Sequence, residues 1–311
     1  MKKTNLTLLK TTLTAILLSD IAIVANAQKL PNIQKDGVLA PLNIKIDGKA
    51  NEWDDTFQAY NKNTNTYYTI ANDADNLYLV IQASDPNDIN KITAGGITFT
   101  IKSADKKSSA APITISYPIK TRVARPAGGP LPPGGLPVAS RVMRVGINGG
   151  GGGGGTRVAS PMAKLRSNEP LTDSDLIALN KQINTNVKEI RVTGLKEFPD
   201  STVSLYNEDG IHAAGLISLK KAYTIEYSIA LKYLQPLINS AGTFNYNVQV
   251  NGLVVNVVQF AGGPIGGGGG DPVRVMDVAV AGGGGGGGMP ASFQSMTSPT
   301  DFSGSYTLAK K

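Results

Sequence analysis

Four aspartates lie close together in the first third of the chain: Asp73, Asp75, Asp85 and Asp88. Calcium takes roughly six to eight oxygen ligands, many of them carboxylate or carbonyl. The spacing of these four matches no defined calcium loop. A calcium site here needs further oxygens converging from other loops, and the alternative is that the aspartates serve Asn/Asp-rich turns. A second set is aromatic. Trp53, Tyr60, Tyr67, Tyr78 and Tyr206 each offer a large apolar ring with a polar rim, the surface on which a sugar stacks. Trp53 is the only tryptophan and follows the turn residues Asp47-Gly48. Its other reading is as a packing residue that seals the edge of a sheet.

Catalytic chemistry has fewer candidates. Glycoside hydrolysis needs two carboxylates roughly 5–10 Å apart. Glu52, Asp54 and Asp55 are neighbours, but nothing in the sequence puts them in a cleft. His212 is the only histidine; it lies in an apolar run with no nucleophile-elbow motif beside it. The chain has no cysteine, so a thiol nucleophile, a cysteine-containing zinc site and disulfides are all excluded. The glycine runs satisfy a dinucleotide fingerprint only trivially, with no strand-to-helix context and no following acid. The expectation is a protein that is not an enzyme and carries no cofactor, structural calcium aside.

Charge is unevenly placed. The net charge is +7, yet the stretch 106–166 holds ten basic residues and no acidic one. Six of the eight arginines fall there: Arg122, Arg125, Arg141, Arg144, Arg157 and Arg166. A cationic segment of this kind attracts acidic polymers. It lacks interleaved aromatics between 121 and 166, so the stacking mode of single-stranded nucleic acid has no platform, and no specific nucleic acid is expected. The other reading is a low-complexity expansion whose charge serves solubility. Glycine follows the same pattern. Of 36 glycines, twelve lie between Gly128 and Gly155 and fourteen between Gly262 and Gly288. Polyglycine loses the most backbone entropy on folding and buries no side chain. Two disordered insertions are expected, at about 121–166 and 261–299.

The remaining sequence reads as strands. Tyr68 and Ile70 alternate with Tyr67, Thr69 and Ala71, and Leu77, Leu79, Ile81 and Ala83 with Tyr78, Val80 and Gln82, across an Asn72–Asn76 turn. Ile97, Phe99 and Ile101 follow with the same period. So do Tyr223, Ile225, Tyr227 and Ile229, then Tyr246, Val248 and Val250 alternating with Asn245, Asn247 and Gln249. Asn251-Gly252 suits a two-residue hairpin turn, which predicts that 253–260 folds back on its predecessor and that the second insertion leaves from the far end. Phe302, Tyr306 and Leu308 predict a closing strand, with Gly304 at a bulge or close approach. One short helix is expected from near Asp173, capped by Thr172 and ending before Val187. At the N-terminus, Lys2, Lys3 and Lys10 precede an apolar run from Leu13 to Val24 and a small-x-small Ala25-Asn26-Ala27. That pattern predicts a signal peptide over 1–27, a single domain over 28–311, a secreted or periplasmic location, and no transmembrane segment after cleavage.

Ile46-Asp47-Gly48 through Glu52-Trp53, then Asn72-Asp73-Ala74-Asp75-Asn76-Leu77-Tyr78, then Asp85-Pro86, resembles the N-terminal half of family 9 carbohydrate-binding modules and their DOMON-like relatives. Tyr223–Leu231, with Glu226 inside it, is similar to the family's late strand, with Ala230 where proline is usual. The resemblance implies a mainly β fold, an antiparallel β-sandwich, a polysaccharide partner and, in some members, structural calcium. Sugar-binding members hold the sugar between two tryptophans, and that clamp has no counterpart in a chain with one. The expected function is an exported, non-catalytic carbohydrate-binding or carbohydrate-associated module. The alternative is an envelope interaction protein whose Gly/Arg-rich insertions contact polyanions.

Overall fold

The computed structural model describes residues 29–54, 56–119, 161–253 and 291–310. The chain divides into two units between Leu30 and Pro31. The expected signal peptide lies outside the described residues, and the architecture below is that of the second unit.

Among the described residues, eleven strands form two antiparallel sheets. The first has five strands in the order β1 (Ala59–Asn61), β2 (Thr66–Asn72), β3 (Asn76–Ala83), β9 (Tyr223–Ala230) and β8 (Ile211–Ile217). The second has six, in the order β11 (Thr300–Thr307), β10 (Thr243–Val250), β4 (Ile97–Ser103), β5 (Ile113–Tyr117), β6 (Glu189–Thr193) and β7 (Thr202–Ser204). The helices are α1 (Pro86–Gly95), α2 (Pro161–Lys164), α3 (Asp173–Asn184), α4 (Leu231–Leu234) and α5 (Ala291–Thr297). The mainly β sandwich is the architecture that the alternating apolar residues require: each sheet buries one apolar face against the other.

The core confirms that alternation. Tyr68, Ile70, Leu77, Leu79, Ile81, Ile225 and Tyr227 face Phe99, Ile101, Ile115, Tyr246 and Val248 and are all buried. Tyrosine hydroxyls inside it are partnered across the sheets. Tyr68 Oη lies 3.2 Å from Tyr246 Oη, and Tyr227 Oη lies 3.1 and 2.9 Å from the carbonyl oxygens of Ile97 and Tyr117. Gly304 stands opposite Tyr246, and a Cβ at 304 would lie 2.5 Å from the Tyr246 hydroxyl. The glycine therefore marks a close approach.

Helix α3 is the one the sequence predicts. Thr172 Oγ1 accepts the Asp175 N–H while Asp175 Oδ2 accepts the Thr172 N–H, a reciprocal cap. Leu179 and Ile183 enter the core. Asn180 hydrogen-bonds both the N–H and the C=O of Ile217, so the helix closes the exposed edge of β8. Helix α1 joins it unforeseen, although its signals are present. Asp85 caps it, Pro86 takes its first position, and Ile89 and Ile92 are buried at helical spacing. Strands β5 to β8 also escape the periodicity reading, being short or, in β8, rich in alanine and glycine.

Two expectations need correcting. No hairpin follows Asn251-Gly252. Strand β10 already has β4 on one side and β11 on the other, and neither residue has a positive φ. The Asn251 side chain instead hydrogen-bonds the Gly95 carbonyl and Thr98 Oγ1. The predicted strand over 254–260 lies outside the described residues. The insertion boundaries also shift. Leu165 and Leu171 are buried in the core, and α5 packs beside α1 with Leu253 N–H donating to the Met296 carbonyl. Residues 161–166 and 291–299, read from the sequence as insertion, therefore belong to the folded body.

Candidate functional site

Trp53 is 6% exposed and sits in a buried knot. Its indole N–H donates to Glu226 Oε1 at 2.9 Å. Glu226 Oε2 accepts the backbone N–H groups of Asp47 and Gly48 at 3.0 and 2.9 Å. Gly48 has φ +83°, and a Cβ there would lie 2.7 Å from the Leu216 nitrogen, so only glycine fits this turn against β8. Trp53 also meets Tyr78 edge to face, with ring centroids 6.4 Å apart. These contacts lay the segment 46–57 over the outer face of the five-stranded sheet. That is why Tyr78 and Val80, read from the sequence as outward positions, are buried.

Glu226 is 1% exposed. Burial pushes its carboxyl up to about 7, and the N–H donors from Trp53, Gly48 and Asp47 offset only part of that. A carboxyl near neutrality is also what a general acid needs. Here both oxygens accept protein N–H groups and the side chain is buried, so the arrangement is a structural clasp.

The other aromatic candidates divide. Tyr60 and Tyr67, both half-buried, pack at a tilt with ring centroids 4.8 Å apart, with the buried Phe57 5.8 Å from Tyr67; the Tyr60 hydroxyl donates to Asn65. Tyr206 is 91% exposed in the loop after β7 and belongs to no aromatic pair among the described residues.

The four aspartates separate into two pairs. Asp73 closes the β2–β3 turn: Oδ1 accepts the N–H groups of Asp75 and Asn76, and Oδ2 the Tyr78 hydroxyl. Those bonds outweigh burial and hold its carboxyl below the usual range. Asp85 caps α1, and Asp88 accepts from Asn65, with burial raising its carboxyl. The eight residues of β3 stand between the pairs, a separation of about 25 Å. They cannot share one ion, and no cluster of metal-binding side chains occurs among the described residues. His212 faces Ser228 across β8 and β9.

Of the arginines, Arg122, Arg125, Arg141, Arg144 and Arg157 lie outside the described residues. Arg166 is exposed, with Nη2 3.5 Å from Asn87 Oδ1. The described ends that border both glycine-rich segments are nevertheless placed. Register puts Tyr117, Ile97, Val250 and Thr300 at one end of the six-stranded sheet. The chain leaves the described body just after Tyr117 and just after Asn251, and returns through α5 directly into Thr300. The fourth end arrives at 161, where Lys221, in the turn from β8 to β9, donates to the carbonyls of Lys164 and Ser167. All four ends sit at one pole. The expected departure of the second segment near 261, from the end opposite Asn251, falls outside the described residues.

One surface was not singled out by the sequence reading. The outward side chains of the six-stranded sheet are Thr98, Thr100, Thr114, Ser116, Thr193, Asn245, Asn247, Gln249, Ser303, Ser305 and their neighbours, with no apolar residue among them. Register aligns one row across five strands: Ser303, Asn247, Thr100, Thr114, Thr193. The next row runs Asp301, Gln249, Thr98, Ser116, Arg191, Thr202. Within the rows Thr98 meets Ser116 at 2.8 Å, Thr114 meets Thr193 at 2.5 Å, and Asn247 Nδ2 donates to Ser303 Oγ at 3.0 Å. The available signal was that every second residue in these strands is polar, most of them hydroxyl or amide.

No described helix is long and apolar enough to cross a membrane. No protein-family model, curated protein or solved structure matches this chain.

Proposed function

We propose that this protein is an exported, non-catalytic module that associates with polysaccharide. The observation supporting this reading is the contrast between the two outer faces. One is covered by the segment around Trp53; the other presents partly exposed side chains that are mostly hydroxyls and amides, groups that exchange hydrogen bonds with a polyhydroxylated polymer. The aromatic residues offer no paired platform among the described residues: Trp53 and Tyr78 are buried, Tyr60 and Tyr67 are half-buried against each other, and Tyr206 stands alone. The test is retention of the chain from Gln28 on insoluble neutral and acidic polysaccharides. Retention on a neutral polymer that 0.5 M salt does not reverse is the expected result (about 0.5 M leaves a Debye length of only a few ångströms). Absence of retention on every polymer would sink the reading.

A second reading draws on a separate observation. The ends bordering both glycine-rich segments converge at one pole, and one of those segments carries the arginine-rich run. In this reading the sandwich is an envelope scaffold that presents a cationic pole to acidic polymers. Salt-sensitive retention on an acidic polymer alone, lost on deletion of 120–160, distinguishes it.

A further inference from the structure

We infer that the carbohydrate contact is the row Ser303, Asn247, Thr100, Thr114, Thr193 with the row beside it, and that its ligand is an extended neutral polysaccharide. This rests on the reading above and specifies its site and ligand class. The charge pattern carries the choice. The first row spans five strands, roughly 19 Å at the usual strand spacing, without a formal charge. The charged side chains nearest it on this face are Lys102, Arg191, Asp301 and Glu189, two of each sign, and the Asp301 carboxylate accepts from Asn247 Nδ2 at 2.7 Å. An acidic polymer finds no net attraction on such a face, and an apolar partner finds nothing to bury. A neutral chain of hydroxyls meets donors and acceptors throughout.

The side chains are also held in place. The Thr98–Ser116, Thr114–Thr193 and Asn247–Ser303 contacts fix their rotamers, so little side-chain entropy is lost on binding. Capacity remains for a ligand. Each hydroxyl can make up to three hydrogen bonds, and Thr100 Oγ1 and Gln249 Oε1 have no partner among the described residues. Net hydrogen-bond contributions are small, about 1 kcal/mol each, so a short oligosaccharide binds weakly and binding grows with polymer length.

The experiment is affinity electrophoresis of the chain from Gln28 through gels containing hydroxyethyl cellulose, soluble starch or alginate. The comparison is between wild type, Thr100→Lys/Ser303→Lys, Ser303→Arg and Tyr206→Ala. Ser303 is exposed, so its single variant remains informative if the double variant fails to fold. The expected result is retardation of wild type in a neutral gel, at least tenfold weaker in the double variant, weakened in Ser303→Arg and unchanged in Tyr206→Ala, with unchanged circular dichroism. Equal retardation of wild type and face variants overturns this inference and leaves the carbohydrate reading standing. No retardation of wild type in any of the three gels overturns both. Retardation in alginate alone overturns this inference in favour of the cationic pole.

Discussion

Glu226 is the residue on which most of the N-terminal segment depends. It accepts three N–H groups that have no other acceptor at hand, from Trp53, Asp47 and Gly48. Glu226→Ala leaves buried donors unpaired and is expected to cost about 2–4 kcal/mol in urea unfolding. The same carboxyl sets a pH dependence. Its folded value, about 7, lies above the ordinary 4.5, so the folded state binds the extra proton between those values. Its contribution is fully present below about pH 4.5 and is lost as pH rises through 7. The melting temperature is expected to fall from pH 5 to pH 8, and Glu226→Gln should flatten that slope. An unchanged slope in the variant would assign the dependence to other groups. Gly48→Ala forces a side chain into positive φ and against β8, and is expected to cost about 1–3 kcal/mol by the same unfolding measurement. Trp53 is the only tryptophan and is buried, so its emission should be blue-shifted and should not move when polysaccharide is added.

At the scale of elements, α3 and β8 depend on each other. Asn180 bonds both backbone groups of Ile217, and Asn184 bonds the Gly215 carbonyl. Asn180→Ala removes an edge cover as well as two hydrogen bonds. A loss of about 1–2 kcal/mol is expected by thermal or chemical melting, with faster aggregation on heating seen by light scattering. Helix α3 was legible because its cap and its apolar stripe are local. Strand β10 was legible as a strand for the same reason. Its neighbours were not, since β4 lies more than a hundred residues upstream and β11 follows a glycine-rich segment. The Asn251-Gly252 pair carries a turn propensity that is real for the isolated dipeptide. It loses here because both flanks of β10 are already occupied.

The whole molecule has distinct faces and poles. One outer face is covered by chain and the other is polar and partly exposed, while one pole gathers the ends of both glycine-rich segments. Both sheets and the buried cluster between them are built from described residues, so replacing 120–160 and 254–290 by short Gly-Ser linkers is expected to leave the sandwich intact. Circular dichroism should be unchanged after correction for the deleted length, and the melting temperature equal or slightly higher, since shorter loops cost about 1 kcal/mol less to close. Loss of the cooperative transition would show that those residues contribute to the fold.

By itself the sequence determined the class of fold, because alternation of apolar residues is a local record of which strand face is buried. It also marked the turns at Asp47-Gly48 and Asn72–Asn76 and the helix at Thr172–Asp175, each set by side chains bonding their own neighbours. It could not decide what Trp53, Tyr78 or the four aspartates do. A ring becomes a platform or a core residue only when something does or does not cover it. The tertiary structure made that decision, by folding the 46–57 segment over one sheet and holding two aspartates at each end of β3. It also assembled, from five strands distant in sequence, a row of small polar residues that no single strand displays.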